Sequence, residues 1–391
     1  MVKLPAQEAL VAATGDSFKS SRLDQMLRNF TASYKLYWLK GIFDEAVEGN
    51  THVTFERLAA RMVAASWYPV TYFRLNLGAT DILAKAVLCA QERCGLAADA
   101  DADSIVATVL ESDDAELRAK VKSLYTYVPY RLIRPFYSDR FDEVRAGGKP
   151  VPDTMVNGLV VGFNRDDAAG APYRFNDGGD GIEIDPEWAL YFANNCHVVQ
   201  GWLDSKLVTY LQARNPSVPA IPLKIYAPSA RNLTAARKYW EEALCDHVFA
   251  DIYSGVPFDD AGFAAHGPMG VDHFIPWSFV LHDEPWNLAP MFRDANSSKG
   301  NRLPVLEEYL RPFCEQQFDA LLTLRGTGRH KKIFESYVQI DSHVMRYERT
   351  HASLDSFVGS VTKVIVPLHQ IAANQGFSSW RPTVDYKVVR F

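Results

Sequence analysis

The sequence predicts an α+β protein that is mainly helical, and three observations predict it. Apolar residues recur at helical spacing over residues 16–95, and again after Gly328 to roughly Ala373. Period-two alternation is confined to short runs, the clearest of them flanking the turn NDGGDG at 176–181. A strand-like run, VDHFIPWSF at 271–279, precedes irregular chain toward the C-terminus.

Taken in order, Asp16 can cap a helix running through Leu23, Met26, Leu27 and Phe30. Tyr34, Trp38 and Ile42 predict a second helix, and Phe55, Leu58 and Met62 a third that ends before Pro69. LAADADADS (96–104) reads as a linker or cap, and helices resume to about Tyr130. RAGGKPVPD (145–153) is rich in Gly and Pro and marks a boundary. Tyr173 and Phe175 before NDGGDG, and Ile182 and Ile184 after it, predict a hairpin, followed by one helix over 188–212. RNPSVPAIP (214–222) is a second boundary. Beyond it come a helix over 235–244, short strands around Ile252 and at 270–275, irregular chain, and a helix from about Asp294. The final TVDYKVVRF (383–391) predicts a short strand. The expected organisation is a helical domain at 1–145, a small α+β region at 146–222, a domain carrying the chemistry at 223–325 and a helical region at 326–391.

Composition narrows the function. At about 150 residues per domain, 391 residues predict two or three domains. With 48% apolar and 23% charged residues the chain can bury more than one core. No apolar run reaches about 18 residues, and the N-terminus lacks the pattern of a secretory signal, so a soluble cytoplasmic protein with no membrane partner is expected. Five scattered cysteines without a Cys-x-x-Cys pair argue against a disulfide framework and a zinc ribbon. A net charge of −6 weighs against a protein that coats nucleic acid. Residues 293–332 nevertheless hold eight Lys/Arg against five acids, just downstream of VDHFIPWSF.

Within that run, Asp272 and His273 stand side by side among apolar residues. Alone, a hydrogen-bonded core pair would account for them. Three more polar residues follow in register: Asn287 lies 15 residues after Asp272, Asn296 9 after that, and Lys299 3 further on. Phosphodiester hydrolysis needs an activated water and a group that absorbs charge on the leaving oxygen. A neutral imidazole can take the proton near neutral pH. Mg²⁺ can absorb the charge, and it accepts a sparse set of protein oxygen ligands. On a strand, Asp272 and His273 face opposite ways and can serve these two tasks. Asn296 stands where a helix should begin and could meet Asp272 across the metal. Asn287 is suited to bond backbone and fix the loop, and Lys299 to reach a phosphate.

The run Val271-Asp272-His273-Phe274-Ile275-Pro276, with Asn287, Asn296 and Lys299, resembles the HNH or ββα-metal nuclease motif, and its spacing is similar to that of the HNH domain of RNA-guided DNA nucleases. The resemblance implies a ββα-metal domain embedded toward the C-terminus with helical flanks. It implies Asp272 and Asn296 as metal ligands, His273 as general base and Asn287 as a structural residue of the catalytic group. The metal would be Mg²⁺, with Mn²⁺ or another divalent cation able to substitute, and the substrate DNA. IYSGVPF (252–258) resembles the first hairpin strand of the motif, at which many relatives carry Cys-x-x-Cys; none stands here, so no structural zinc is expected. More loosely, SYKLYWLKGIFDE and VTFERLAARMVAASWYPVTYF resemble the N-terminal region of bacterial proteins with a C-terminal HNH domain. Many of those act in anti-phage defence, a Zorya type II nuclease subunit being one kind. That resemblance implies other defence subunits as partners, and a homodimer is a further possibility for cutting both strands.

Lys299 and Arg302, with Arg325, Arg329 and Lys331 of the stretch RGTGRHKK, are candidate DNA-backbone contacts, a solvated helix start being the plainer reading of that stretch. His282 and Asp283 could assist the metal, although an exposed loop pair explains them as well. Lys122, Arg131, Arg134 and Arg140 form a second basic, aromatic patch that core packing largely explains. The alternatives from other classes are a catalytically silent HNH fold that binds a partner, and an HNH nuclease acting on RNA.

Overall fold

Short polar side chains set the helix starts. The computed structural model describes residues 15–28, 32–145, 149–228 and 230–382, so the expectations on Phe30 and on TVDYKVVRF lie outside the described residues. Asp16 accepts a hydrogen bond from the Lys19 amide at 2.8 Å, and Asp101, inside LAADADADS, accepts one from Ser104 at 2.9 Å. Each satisfies a helix N–H that has no partner within its own helix.

The chain divides into two compact units, residues 1–216 with 221–227, and residues 217–220 with 228–391. In the first, helices α1 (Ser17–Met26), α2 (Tyr34–Val47), α3 (Phe55–Ala65), α4 (Ile82–Cys94), α5 (Ala102–Glu111), α6 (Ala115–Leu124), α7 (Val128–Ile133), α8 (Ser138–Val144), α9 (Asp153–Asp166), α10 (Pro186–Asn194) and α11 (Cys196–Arg214) surround a core that includes Trp38, Trp67 and Trp188. The helix expected over 188–212 is two helices, because Asn195 leaves helical geometry and turns its side-chain amide onto the Tyr191 carbonyl at 2.9 Å.

The expected hairpin is present as β2 (Tyr173–Phe175) and β3 (Gly181–Ile184), and a third strand, β1 (His52–Thr54), completes the sheet in the order β1-β3-β2. A β-carbon at Gly181 would come within 2.6 Å of the Val53 carbonyl oxygen, so glycine is what lets β1 dock there. This pairing joins residues 52–54 to 181–183, and the boundary expected at 145 is therefore not one: the described residues on both sides of it, as far as 216, belong to a single unit.

The second unit contains α12 (Thr234–Asp246), α13 (Asp260–His266), β4 (Met269–His273), α14 (Trp277–Val280), β5 (Leu288–Phe292), α15 (Arg293–Lys299), β6 (Leu303–Pro304), α16 (Leu306–Leu324), α17 (Lys331–Ile340), α18 (His351–Asn374) and β7 (Ser379–Trp380). Its centre is the antiparallel hairpin β4–β5, with Asp272 opposite Ala289 and His273 opposite Leu288. Irregular chain was expected where β5 lies; Pro290 cannot donate a ladder bond, but in a two-stranded sheet one edge of each strand is unpaired and proline is tolerated. Ile252 is not in a strand. The segment 252–258 is a tight turn closed by an isolated bridge between Ala250 and Pro257, with Asp251 Oδ1 accepting from the amides of Tyr253 and Ser254.

Phe274 meets Phe313 of α16 with ring centroids 4.4 Å apart, and Phe318 meets Phe357 of α18 at 5.6 Å. These contacts fasten the hairpin to α16 and α16 to α18, so no boundary falls at 325 either. Among the described residues, no helix is long and apolar enough to cross a membrane.

Candidate active site

Strand β4 places Asp272 and His273 on opposite faces, and both side chains are buried. Gly270 shares the Asp272 face. A β-carbon there would lie at contact distance, 3.4 Å, from Asn296 Nδ2, so Gly270 and Asn296 are neighbours. Asn296 stands within α15 rather than at its start. One turn further on, Lys299 Nζ is 2.8 Å from Asp272 Oδ2 and donates to the His273 carbonyl at 2.6 Å.

On the other face, His273 Nε2 is 2.8 Å from Asp283 Oδ1. The hydrogen bond from His273 holds the Asp283 carboxyl below the usual carboxylate range, against the opposing effect of burial. An ionised carboxylate only accepts, so the imidazole proton belongs on Nε2 and Nδ1 is left as the basic nitrogen. Asn287 is fully buried and spans the loop: its Oδ1 accepts from the Ile275 amide at 2.8 Å and its Nδ2 donates to the Ile275 carbonyl at 2.9 Å. Asp251, which sequence reasoning did not single out, is also buried and accepts from the Phe292 amide at 2.8 Å at the end of β5. Burial raises its carboxyl above the ordinary value. Its signal in the sequence was the turn-forming Asp-x-Tyr-Ser-Gly that it opens.

Asp272, His273 and Asn296 line one cleft of about 620 Å³ together with Arg231, Arg237 and Arg293. The sequence reading named none of these arginines as a contact. Arg231 and Arg237 stand six residues apart in RNLTAAR, and nothing local ties them to residue 272.

The expected phosphate contacts are placed differently. Lys299 is fully buried and spent on Asp272 and a carbonyl, so its ammonium has no surface on which to meet a phosphate. Arg302 donates to the carbonyls of Lys299, at 3.2 Å, and of Ser298, closing the end of α15. Arg325 is spent on the carbonyls of Met345 and Tyr347. Arg329 forms an exposed ion pair with Glu242 at 3.5 Å, and Lys331 is exposed at the start of α17; neither lines the cleft. His282 borders the Asp283 loop, and burial lowers its basicity.

Among the described residues, no group of three or more His, Cys, Asp or Glu side chains is disposed to hold a metal. Asp272 and Asn296 offer one carboxylate and one amide oxygen, both hard donors. Asp272 Oδ1 carries no hydrogen bond from the described residues. That sparse oxygen set fits a hard divalent cation, which keeps water in its remaining positions.

Comparison with curated proteins and with solved structures gives no match. Residues 251–305, which run from Asp251 through the hairpin and α15 to β6, match the family model described as HNH endonuclease.

Proposed function

We propose that the chain is a metal-dependent endonuclease that hydrolyses DNA phosphodiester bonds, cutting one strand per event. The observation that carries this is the convergence of Asp272, His273 and Asn296 on one cleft within the matched segment. His273 Nδ1 takes the proton of the attacking water, and Asp283 steadies the imidazolium that forms. Such a base contributes about 10²- to 10⁴-fold. Asp272 and Asn296 would hold Mg²⁺, or Mn²⁺ in its place, which when bound neutralises charge developing at the scissile phosphate and its leaving oxygen. Asn287 keeps the strand end and loop in register, so that His273 and Asp283 stay within hydrogen-bonding distance.

Incubation with supercoiled plasmid tests this. Open circle should form with Mg²⁺ or Mn²⁺ and not with EDTA, and His273→Ala should remove it; conversion that His273→Ala leaves unchanged overturns the assignment. RNA substrates in parallel distinguish a ribonuclease. The likeness of the N-terminal helical stretch to bacterial HNH proteins is what supports a role in anti-phage defence, with co-encoded subunits as partners. An inert purified chain that gains activity with such a partner would support that role.

One observation favours a second reading. The Lys299 ammonium already neutralises Asp272, as a catalytically silent fold retained for binding a partner could tolerate. Mn²⁺ titration followed by electron paramagnetic resonance separates the two, because a silent fold binds no Mn²⁺ that Asp272→Ala abolishes.

A further inference from the structure

We infer that Arg231, Arg237 and Arg293 form a phosphate-binding track that seats the nucleic-acid backbone on either side of the scissile phosphodiester; this rests on the nuclease reading and names how the substrate is held. The three guanidiniums come from separate places in the sequence, before α12, within it and at the start of α15, and all three side chains are exposed and line the same cleft. Arg237 and Arg293 make no side-chain hydrogen bond or ion pair with the described residues. Arg231 lies over the Trp277 ring, 5.4 Å from its centroid, which holds the group in place and leaves its N–H fork unspent.

The nearby anions are already engaged. Asp272 is paired with Lys299, Asp283 with His273, and Asp294 with His266 at 3.0 Å. Arg231 also acts electrostatically on Asp283, which a neutral His273 does not discharge, whereas Arg237 and Arg293 have no carboxylate partner among the described residues and their positive charge is available to a ligand. A planar guanidinium matches two oxygens of a phosphate at once, which an ammonium does not. The cleft is roomy enough for a sugar-phosphate unit. Arg231 and Arg237 lie outside the matched segment 251–305, so the flanking chain supplies two of the three groups. Lys299, Arg302 and Arg325 are spent on internal partners, and this track takes the place expected of them.

The test is fluorescence anisotropy of the full chain with labelled duplex DNA, and with duplex RNA of the same sequence, in EDTA across a salt series. Each of Arg231→Gln, Arg237→Gln and Arg293→Gln should weaken binding and lower the slope of log affinity against log salt by about 1, and the triple variant by about 3. Arg311→Gln, outside the cleft, should change neither. A larger loss on DNA than on RNA identifies DNA as the source of the backbone; equal losses assign the track to the phosphates alone. A triple variant with wild-type affinity and slope overturns the proposal, as does a wild-type chain that binds neither duplex. If the wild type nicks plasmid while the triple variant keeps its slope, the track falls and the nuclease reading stands. If the triple variant loses its slope but the wild type cuts nothing with Mg²⁺, the nuclease reading falls and the track stands.

Discussion

The proton on His273 sits where Asp283 puts it. A carboxylate held below its ordinary range by that hydrogen bond remains ionised through neutral pH, and it selects the tautomer with Nδ1 free. Asp283→Asn removes the selection and should slow nicking by about 10- to 100-fold, the usual effect of losing such an orienting partner. The same bond has a stability consequence. A carboxyl whose folded pKa is depressed contributes stability above its unfolded value and loses it as pH falls through the lower, folded one. The difference in urea midpoint between wild type and Asp283→Asn should therefore close as pH falls below about 4. Asn287 makes a separate case. Asn287→Ala leaves the Ile275 amide and carbonyl buried without partners, and should cost about 2–4 kcal/mol by urea unfolding.

Elements were legible where one face repeats. Tyr34, Trp38 and Ile42 lie on α2, and Phe55, Leu58 and Met62 on α3, because a buried stripe has a helical period of its own. Strand β5 was not legible, since LAPMF is buried throughout and has no alternation to read. Strand β1 was missed for another reason: three residues carry no period, and only the open edge of β3 recruits them. Between α2 and α3, Glu45 is fully buried and accepts from Arg57 at 2.8 Å and Arg61 at 2.6 Å. Burial pushes its carboxyl up, but the two arginines outweigh that and hold it below the ordinary value. Glu45→Gln replaces two charge-assisted hydrogen bonds while Arg61 keeps Glu48 as an ion-pair partner, and should destabilise the first unit by about 1.5–3 kcal/mol in thermal or urea unfolding.

At the scale of the whole molecule, the described residues contain one such constellation per chain, so open-circle plasmid should accumulate before linear product. Linear product should rise more steeply than in proportion to protein concentration if a dimer cuts both strands, and in proportion if two separate encounters do; agarose gels of a time course at several concentrations decide. The sequence by itself determined the spacing of Asp272, His273, Asn287 and Asn296 and the alternation that turns Asp272 and His273 to opposite faces, because spacing and the alternation of a strand are local properties. It also determined the helical periods, for the same reason. Only the tertiary structure decided which charges are free. Lys299 and Arg302 read as phosphate contacts, yet folding buries one against Asp272 and spends the other on helix carbonyls. Arg231 and Arg237 reach the cleft only because α12 packs against the hairpin. Whether a charge is paired depends on neighbours far away in sequence, and sequence spacing does not encode those neighbours.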